Sequence, residues 1–468
     1  MTPDEALSRP VAEVAPEVRR GRLKSVALTE ASIRKLETVG RQLGSVASLA
    51  VGQSLEEAQR SDREIAAGRY RGPLHGIPYG AKDLLATRGF PTSWGASPLK
   101  DRVLEPDATT IRRLRDAGAV LVAKLAMIEL AGGLGYTVAG ASATGAAKNP
   151  WDPKRWTCGS SSGSGGATAA GLVGFAIGSE TWGSILCPSA FNGVTGLRPT
   201  YGLVPRTGAM ALSWTMDKIG PMARSAEDCE LVLDAIAGHD EADPGSLVDA
   251  LPARSAAGDP KTYRVGAYRP SFEKSGSREV ERAFDEAVKV FESQGIPVGE
   301  VKLPDLPFDE TALVIIVVEA AAAFEPLITS GEVRKLADPG ALVNSQAARS
   351  IAAVDYVRAM QARRILQQEM AKLFETFDLV IAPTVPMLAT KLEEKLDAAF
   401  AYSDPIGSGG NLAGLPALSV PCGSSSDGLP IGMQVVGPPL SERKVLGLGR
   451  WFQGETEWHK KRPLQAIS

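Results

Sequence analysis

The chain has 468 residues, with 51 Lys or Arg, 54 Asp or Glu, and a formal net charge of −3 at pH 7. This length suits one large α/β domain or two to three ordinary domains. The slightly acidic balance argues against a surface that binds nucleic acid or an anionic membrane. The apolar run Ala312–Val318 is followed by Glu319, and no segment reaches membrane-spanning length. We therefore expect neither a nucleic-acid nor a membrane partner.

The N-terminus and the cysteine content predict a cytoplasmic location. The first ten residues, MTPDEALSRP, lack the apolar segment of a secretory signal. The four cysteines form no C-x-x-C pair and are too few for a disulfide scaffold, which favours a reducing compartment. The cysteines are Cys158, Cys187, Cys229 and Cys422.

Histidine content bears on metal binding. The three histidines, His75, His239 and His459, are not at metal-ligand spacing. We therefore expect no metal site, and no other feature of the chain indicates a cofactor.

The N-terminal residues alternate charged and apolar positions at helical spacing as far as position 70. This pattern predicts an N-terminal helical layer over residues 1–60 that covers a sheet. Thr29 is a candidate N-cap for a helix through Ala31, Ile33 and Leu36.

Helices and strands then alternate. Asp107 is a candidate N-cap for a helix over Thr110–Ala117, which Gly118 ends. Val120–Ala123 is predicted as a buried strand. Ser225 begins another helix with a start that resembles a capping box. Such alternation predicts a sheet with helices on both faces.

The second half of the chain begins with a change in composition. Residues 238–261 are rich in Asp, Pro, Gly and Ser and predict a surface loop. Residues 275–375 predict a helical insertion near the substrate entrance, with candidate helices at Thr311–Phe324 and Asp355–Phe374. A further amphipathic helix, stopped by Gly295, is marked by Val280, Phe284, Ala287, Val288 and Phe291.

The most informative stretch is rich in glycine and serine and runs from Cys158 to Pro199. Its first turn, GSSSG, matches the G-x-S-x-G motif of α/β-hydrolases around Ser161, and Asp378 and His459 follow in the corresponding order. That motif must follow a strand, however, and the preceding NPWDP segment cannot form one. A Ser-His-Asp triad is therefore disfavoured.

Five ordered motifs make the chain resemble the amidase signature family over about residues 60–440. These motifs are HGIPYGAKD at 75–83, GSS at 159–161 with SETWGSI at 179–185, GLRPTYG at 196–202, DLVIAPTVP at 378–386 and NLAGLPALSVP at 411–421. The resemblance implies a single α/β fold over residues 61–468, with a large mixed sheet flanked by helices on both faces.

The resemblance also implies a Ser-Ser-Lys catalytic arrangement. Ser184 is the expected nucleophile, Ser160, held by a cis peptide, is the expected bridging serine, and Lys82 is the expected base. A lysine with its reference pKa of about 10.4 would be only about 0.4% neutral at pH 8. Burial lowers a lysine pKa, and Ile77, Leu84 and Leu85 provide apolar surroundings. We expect the neighbouring Asp83 to point away.

By the same resemblance, the backbone N–H groups of Thr181, Trp182, Gly183 and Ser184 are the expected oxyanion hole. Two residues depart from the family pattern. Trp182 occupies a position that usually holds glycine, and Leu186 replaces an arginine. The second change predicts that Glu180, at the usual aspartate position, lacks its customary partner.

The expected function is hydrolysis of C–N bonds in amides, and by extension of carbamates or aryl esters. An apolar or aryl small-molecule substrate is expected, with Met127, Trp182, Met210 and Trp214 as candidate binding residues. The resemblance does not give the oligomeric state, and a homodimer is a candidate assembly.

Two alternative functions stay open at this stage. The first is the glutaminase subunit of a glutamine-dependent aminoacyl-tRNA amidotransferase, in which an acid at the position of Asp404 receives the ammonium group of glutamine. Against it, Gly407-Ser408-Gly409-Gly410 replaces the usual segment. The second alternative, a non-enzymatic binding protein, is disfavoured because Lys82, Ser160 and Ser184 are all present.

Overall fold

The computed structural model describes residues 1–248, 251–270 and 276–463. Positions 249 and 250 of the predicted surface loop, position 275 of the predicted helical insertion and the last five residues lie outside these ranges. Within the described ranges, eleven strands form one mixed sheet in the order β1-β3-β2-β4-β6-β5-β10-β11-β9-β7-β8. The strands are β1 (Val46–Leu49), β2 (Pro78–Lys82), β3 (Val120–Leu125), β4 (Phe175–Glu180), β5 (Thr195–Arg198), β6 (Lys218–Ala223), β7 (Val265–Tyr268), β8 (Val298–Val301), β9 (Leu379–Pro383), β10 (Ala417–Ser424) and β11 (Pro430–Val436).

Sixteen α-helices accompany the sheet in the same ranges, and none of them is both long and apolar enough to cross a membrane. The helices are α1 (Pro3–Leu7), α2 (Val11–Arg19), α3 (Ser25–Lys35), α4 (Val51–Ala66), α5 (Thr109–Asp116), α6 (Ser162–Ala169), α7 (Leu186–Asn192), α8 (Ala226–Ile236), α9 (Arg278–Ser293), α10 (Phe308–Ala323), α11 (Glu325–Thr329), α12 (Ala341–Arg349), α13 (Ala353–Thr376), α14 (Leu396–Ala399), α15 (Pro405–Leu412) and α16 (Glu442–Glu455).

The sheet is covered by apolar side chains on both faces. In β3, Val120 and Val122 belong to one buried cluster, whereas Leu121 between them belongs to another. Successive side chains of a strand point to opposite faces, so each cluster lies on its own face of the sheet. Such double burial explains the near-continuous apolar run of β3. The predicted α/β class, with a large mixed sheet and helices on both faces, is confirmed.

The helix at α5 is confirmed, but its predicted cap is wrong. Ala108 precedes the helix, and no side chain caps it. The Asp107 carboxylate instead accepts a hydrogen bond from the Arg88 backbone N–H at 2.7 Å and pairs with Arg115. Gly118 adopts a positive φ of 81° and ends the helix as expected.

Thr29 is likewise not an N-cap. It lies buried in the middle of α3, which begins four residues earlier at Ser25. The first N–H groups of α3 are satisfied from outside by Asp62 of α4, whose carboxylate accepts from Ser25 at 2.8 Å and from Val26 at 3.2 Å. A cap supplied by another helix leaves no signal in the local sequence.

The remaining helix predictions hold. Ser225 caps α8 by accepting from the backbone N–H of Asp228 at 3.0 Å. The helices α10 and α13 match the two segments predicted within the 275–375 insertion, which also contains β8. All five apolar positions predicted for α9 are buried: Val280, Phe284, Ala287, Val288 and Phe291.

The predicted N-terminal layer and the predicted surface loop differ in their secondary structure. Residues 1–60 contain α1, α2, α3 and most of α4, together with β1, which pairs antiparallel with β3 at the edge of the sheet. The described part of 238–261 contains two short 3-10 segments and neither an α-helix nor a strand.

Candidate active site

The candidate site lies where the carboxyl ends of neighbouring parallel strands come together. Strand β2 pairs in parallel with both β3 and β4, so the carboxyl ends of the three strands meet at the same edge. Lys82 is the last residue of β2, and Ser179 and Glu180 end β4. Ligand sites of parallel sheets commonly form where strands end in this way.

Lys82 and Ser160 are in direct contact. Lys82 Nζ donates to Ser160 Oγ at 2.7 Å, to Ser179 Oγ at 2.9 Å and to the Ser179 carbonyl oxygen at 3.3 Å. Both Lys82 and Ser160 are fully buried. Ser160 follows a cis peptide bond with Gly159, as the family resemblance implies. The lysine therefore uses its donors on two serines, one of them the expected bridge.

Burial lowers the pKa of Lys82 to about 7, although the negative charges of Asp217 and Glu180 act in the opposite direction. At this pKa about half of the lysine is neutral at pH 7, which is the form that can accept a proton. A lysine with this pKa can accept a proton near neutral pH without a histidine.

Asp83 points away from Lys82, as expected from the alternation of a strand. Its carboxylate forms an ion pair with Lys124 of β3 at 3.2 Å and accepts from the backbone N–H and the hydroxyl of Ser93. The negative charge of Asp83 is therefore paired with Lys124 and not with Lys82.

Ser184 lies in the turn that follows β4. Gly183 has a positive φ of 78°, a conformation that favours glycine. The Ser184 carbonyl oxygen accepts from the backbone N–H of Ser161 at 3.3 Å, which joins this turn to the glycine-rich turn. Among the described residues, no protein acceptor takes the backbone N–H of Trp182, Gly183 or Ser184. These N–H groups are available to a developing oxyanion.

Position 186 gives Glu180 no arginine partner, as predicted, and other groups support its carboxylate instead. Its carboxylate accepts from Arg198 Nη1 at 2.9 Å and from the backbone N–H groups of Ile185 and Leu186 at 2.9 and 3.0 Å. Burial would raise the pKa of Glu180, but Arg198, Lys218 and these hydrogen bonds lower it to about 2. Arg198, the arginine of GLRPTYG in β5, thus supplies the charge that position 186 does not.

Trp182 reaches across the site to a second buried acid. Its indole Nε1 donates to Asp404 Oδ2 at 3.0 Å, and the other oxygen of Asp404 accepts from the backbone N–H of Gly407 at 3.0 Å. Burial raises the pKa of Asp404 to about 7, while the bond from Trp182 opposes the rise. Asp404 is therefore already engaged at both oxygens.

The turn over residues 181–184 is called the oxyanion turn below. A cavity of about 500 Å³, hereafter the substrate cavity, opens beside it. Its wall is mostly apolar and is contributed by α10, α14 and loops far apart in sequence. Its apolar and aromatic lining residues are Ala131, Tyr136, Trp182, Leu186, Leu212, Leu313, Ile316, Val385, Leu396, Phe400 and Tyr402.

The four predicted binding residues do not all lie here. Trp182 lines the substrate cavity, whereas Met210 and Trp214 line a neighbouring cavity of about 220 Å³. The two cavities share Thr181 among their lining residues, and the smaller one also reaches Ser179. Met127 is fully buried in the core.

Sequence reasoning missed the aromatic wall of the substrate cavity. Tyr136 and Phe400 contact each other edge to face, with ring centroids 6.4 Å apart. Leu313 is 55% exposed although it follows a helical apolar pattern, which places it at the cavity mouth rather than in the core. None of these residues lies within a family motif, so neither motif nor spacing identifies them.

The structure also contains a disulfide bond that the cysteine spacing did not predict. Cys158 and Cys187 are joined with their Cα atoms 6.0 Å apart, whereas Cys229 and Cys422 are free and buried. Both joined cysteines line the substrate cavity. The expectation that the cysteines have no disulfide role is therefore wrong for this pair.

The α/β-hydrolase alternative finds no geometric support. Ser161 donates to the Ser179 carbonyl oxygen at 3.1 Å and precedes α6 rather than following a strand. Asp378 pairs with Arg264 at 3.2 Å. His459 lies in a C-terminal 3-10 segment, where burial lowers its pKa to about 4. Ser161 and Asp378 therefore have other partners, and His459 Nδ1 has no hydrogen-bond partner among the described residues.

Side chains that bind metals are not clustered near the site. Over the described ranges, no three His, Cys, Asp or Glu side chains are grouped so that they could hold a metal ion. Lys82, Ser160 and Ser184 stay the candidate catalytic residues at this end of the strands.

Comparison with known proteins agrees with this geometry. Residues 27–446 match the family described as Amidase. The chain is 36% identical over 468 residues to a glutamyl-tRNA(Gln) amidotransferase subunit of Desulfatibacillum aliphaticivorans, covering 94% of this chain and 96% of that protein.

Solved structures give the same result. The chain superposes on the native peptide amidase of Stenotrophomonas maltophilia with a TM-score of 0.86 and 32% identity, covering 97% of this chain and 98% of that one. A bacterial aryl acylamidase of the amidase signature family has the same fold, with a TM-score of 0.87 at 23% identity over 97% of this chain and 99% of that chain. The chain therefore belongs to the amidase signature family and is an amide-cleaving hydrolase.

Proposed function

We propose that this chain is a stand-alone hydrolase of apolar or aryl amides, with Ser184 as nucleophile, Ser160 as proton bridge and Lys82 as base. The observation that carries the proposal is the 2.7 Å contact between Lys82 Nζ and Ser160 Oγ in a fully buried setting. The substrate cavity is lined by Gly159, which directly precedes Ser160, and by Ser184 with the oxyanion turn.

Acylation follows from this arrangement. Neutral Lys82 takes the hydroxyl proton of Ser160 while Ser160 takes the proton of Ser184. Ser184 Oγ then forms a bond to the carbonyl carbon of the amide. The negative charge that develops on the carbonyl oxygen is stabilised by the backbone N–H groups of the oxyanion turn, which includes Thr181, Trp182 and Gly183.

Collapse of this intermediate breaks the C–N bond. The proton on Lys82 returns through Ser160 to the leaving nitrogen, which departs as ammonia or an amine. Water then attacks the acyl group on Ser184, and its proton follows the same route to Lys82. Release of the acid restores the Ser184 hydroxyl and neutral Lys82, so that each turnover consumes one water and one amide.

The apolar cavity supports the substrate class. Tyr136, Phe400 and Leu396 provide aromatic and aliphatic surface, and the buried charges of Glu180 and Arg198 neutralise each other. A neutral, largely apolar acyl or aryl group therefore buries its surface here mainly against apolar side chains. Carbamates and aryl esters present the same electrophilic carbon and fall within the proposed range.

Relatives that carry the amidotransferase name favour the alternative function. In that alternative the chain is the glutaminase component of an aminoacyl-tRNA amidotransferase. The geometry around Asp404 weighs against it. An acid that receives the ammonium of glutamine needs a free, ionised oxygen, whereas Asp404 is occupied by Trp182 and Gly407 and has a pKa of about 7. The indole also fills the space that glycine would leave open.

A substrate screen tests the proposal. The purified chain is assayed against an aryl amide, an aliphatic amide, glutamine, a carbamate and an aryl ester, with Ser184→Ala as the control. We expect turnover of apolar amides that the control lacks, and little turnover of glutamine. Hydrolysis of glutamine alone would favour the amidotransferase alternative, and activity that persists in Ser184→Ala would refute the catalytic assignment.

Assembly, location and domain division are further parts of the proposal. We propose a homodimer, which sedimentation tests, and a division into residues 1–60 and 61–468. The sequence favours the cytoplasm, and cell fractionation tests that location. The Cys158–Cys187 disulfide weighs against it, because disulfides are uncommon in reducing compartments.

A further inference from the structure

The Cys158–Cys187 disulfide joins the two segments that carry the serines of the proposed site. Cys158 lies two residues before Ser160, and Cys187 lies three residues after Ser184. Residues 158 and 187 are 1% and 5% exposed, and both line the substrate cavity. The bond is therefore built into the wall of the active site.

Hydrogen bonds also connect the segment around Ser160 to α7 and to the end of β4. Asn192 Nδ2 of α7 donates to the Thr157 carbonyl oxygen at 2.8 Å, and the Ser161 hydroxyl donates to the Ser179 carbonyl oxygen at 3.1 Å. The Ser160 carbonyl oxygen accepts from Ile128 at 3.2 Å, and its hydroxyl contacts Lys82. Neither contact is made to Ser184, although Lys82 also donates to Ser179 near the end of β4. The nearest backbone connection to the nucleophile is the 3.3 Å bond from the Ser161 N–H to the Ser184 carbonyl oxygen, a long hydrogen bond.

Cys158 also needs support from its surroundings. Its φ is +63°, in the left-handed region that costs free energy for a residue with a Cβ atom. The covalent link to Cys187 holds this residue at the start of the glycine-rich turn. Cys187 in turn lies in the first turn of α7, where its N–H donates to the Gly183 carbonyl oxygen at 2.8 Å.

We propose that the Cys158–Cys187 disulfide is a positioning element that fixes the spacing between Ser160 and Ser184, so that its loss lowers kcat for amide hydrolysis more than it changes KM. This inference rests on the proposed function, which assigns proton transfer to these two serines. Proton transfer requires hydrogen-bond distance, and a misplacement of about 1 Å can cost about 100-fold in rate.

The Cys158–Cys187 bond can be removed in two ways, by chemical reduction and by substitution of one cysteine. Tris(2-carboxyethyl)phosphine reduces it by breaking one S–S bond and forming two S–H bonds, and the phosphine becomes its oxide by taking an oxygen atom from water. Cys187→Ala removes the bond without a reductant. Cys422→Ala is the matched control because Cys422 is also buried, is free and lies in β10 away from the site.

The experiment combines thiol counting with kinetics on an apolar amide. Alkylation in denaturant should find two thiols before reduction, Cys229 and Cys422, and four after it. We expect kcat to fall about 10-fold or more in reduced wild type and in Cys187→Ala, with KM changed less. Reduction should lower the activity of Cys422→Ala as it does in wild type, but should not affect Cys187→Ala.

Two results would overturn the inference: four free thiols in the fully active protein, or wild-type kcat in folded Cys187→Ala. A melting curve of each variant separates misfolding from misplacement. The rate at which a fluorophosphonate labels Ser184 gives a second readout that needs no amide substrate. If oxidised wild type hydrolyses no amide, the proposed function fails, whereas an unchanged labelling rate after reduction means that the positioning role fails.

Discussion

Arg198 Nη1 lies 2.9 Å from Glu180 Oε1, and both side chains are fully buried. This ion pair joins β5 to the end of β4, immediately before the oxyanion turn. Glu180 also receives the N–H groups of Ile185 and Leu186, so that its carboxylate holds the chain just beyond Ser184. A charge on β5, which β6 separates from β4 in the sheet, therefore supports the turn in which the usual loop arginine is absent.

Removal of the Arg198 charge should destabilise the folded protein. Arg198→Met is expected to lower the free energy of unfolding by about 3–5 kcal/mol, because it leaves the buried Glu180 carboxylate without its ion-pair partner. Urea denaturation measures the loss. Arg358→Met, which breaks the exposed pair with Asp355, is the control and should change stability by less than about 1 kcal/mol. Equal stability of Arg198→Met and wild type would contradict this role.

The pH dependence of kcat/KM should report the ionisation of Lys82. The neutral lysine is the active base and its pKa is lowered to about 7, so kcat/KM should rise as pH increases through about 7 and then level off. Below that pKa the rate should fall about tenfold per pH unit, since one proton blocks the base. Assays from about pH 5 to about pH 9.5 measure this dependence.

Asp404 has a similar pKa and requires a control. Asp404→Asn removes its ionisation but leaves Lys82 in place, so the alkaline rise should persist in this variant. Loss of the rise in Asp404→Asn would assign the ionisation to Asp404 instead.

Substitution at the base should affect amides more than esters. Lys82→Ala should lower kcat/KM for an amide by about 1,000-fold or more, because the leaving nitrogen then lacks its proton donor. An aryl ester, whose leaving group needs no proton, should lose less. Ser160→Ala should be milder than Lys82→Ala, since a water molecule can bridge the gap.

Lys124→Met provides the comparison, because Lys124 is also buried but contacts Asp83 and Thr92 rather than the serines. It should lower the melting temperature yet keep the ratio of amide to ester turnover. Near-normal amide turnover in Lys82→Ala, or activity lost instead on replacing His459, would refute the Ser-Ser-Lys assignment.

Trp182 should determine substrate range rather than chemistry, because the oxyanion requires only its backbone N–H. Trp182→Gly should admit bulkier or more polar amides while a small activated ester is still hydrolysed. Trp182→Phe keeps most of the apolar surface but removes the donor to Asp404, and should change the range less. Rates for a set of amides measure this. A loss of several orders of magnitude on every substrate would mean that the indole holds the oxyanion turn together.

The nucleophile can be identified directly. A fluorophosphonate should form its adduct on Ser184, and peptide mapping by mass spectrometry locates it. Ser161→Ala should still be labelled, whereas Ser184→Ala should not. An adduct on Ser161 in wild type would favour the α/β-hydrolase arrangement.

Elements with local signals could be predicted from the amino-acid sequence. The apolar spacing of α9 and the cap of α8 predicted those helices, because burial of one face and satisfaction of the first N–H groups depend on residues a few positions apart. Ordered motifs likewise identified the family, and they are the basis for proposing Lys82, Ser160 and Ser184 as catalytic residues.

Which distant groups meet could be read only from the folded chain. Asp62 caps α3 from another helix, Arg198 replaces the loop arginine as the partner of Glu180, and Cys158 bonds to Cys187. The cavity wall likewise combines residues of separate segments, such as Tyr136, Leu313 and Phe400. A buried charge or an aromatic ring is stabilised by whichever group the packed chain brings beside it, and strand order and helix packing set that choice. Local sequence spacing carries no record of it.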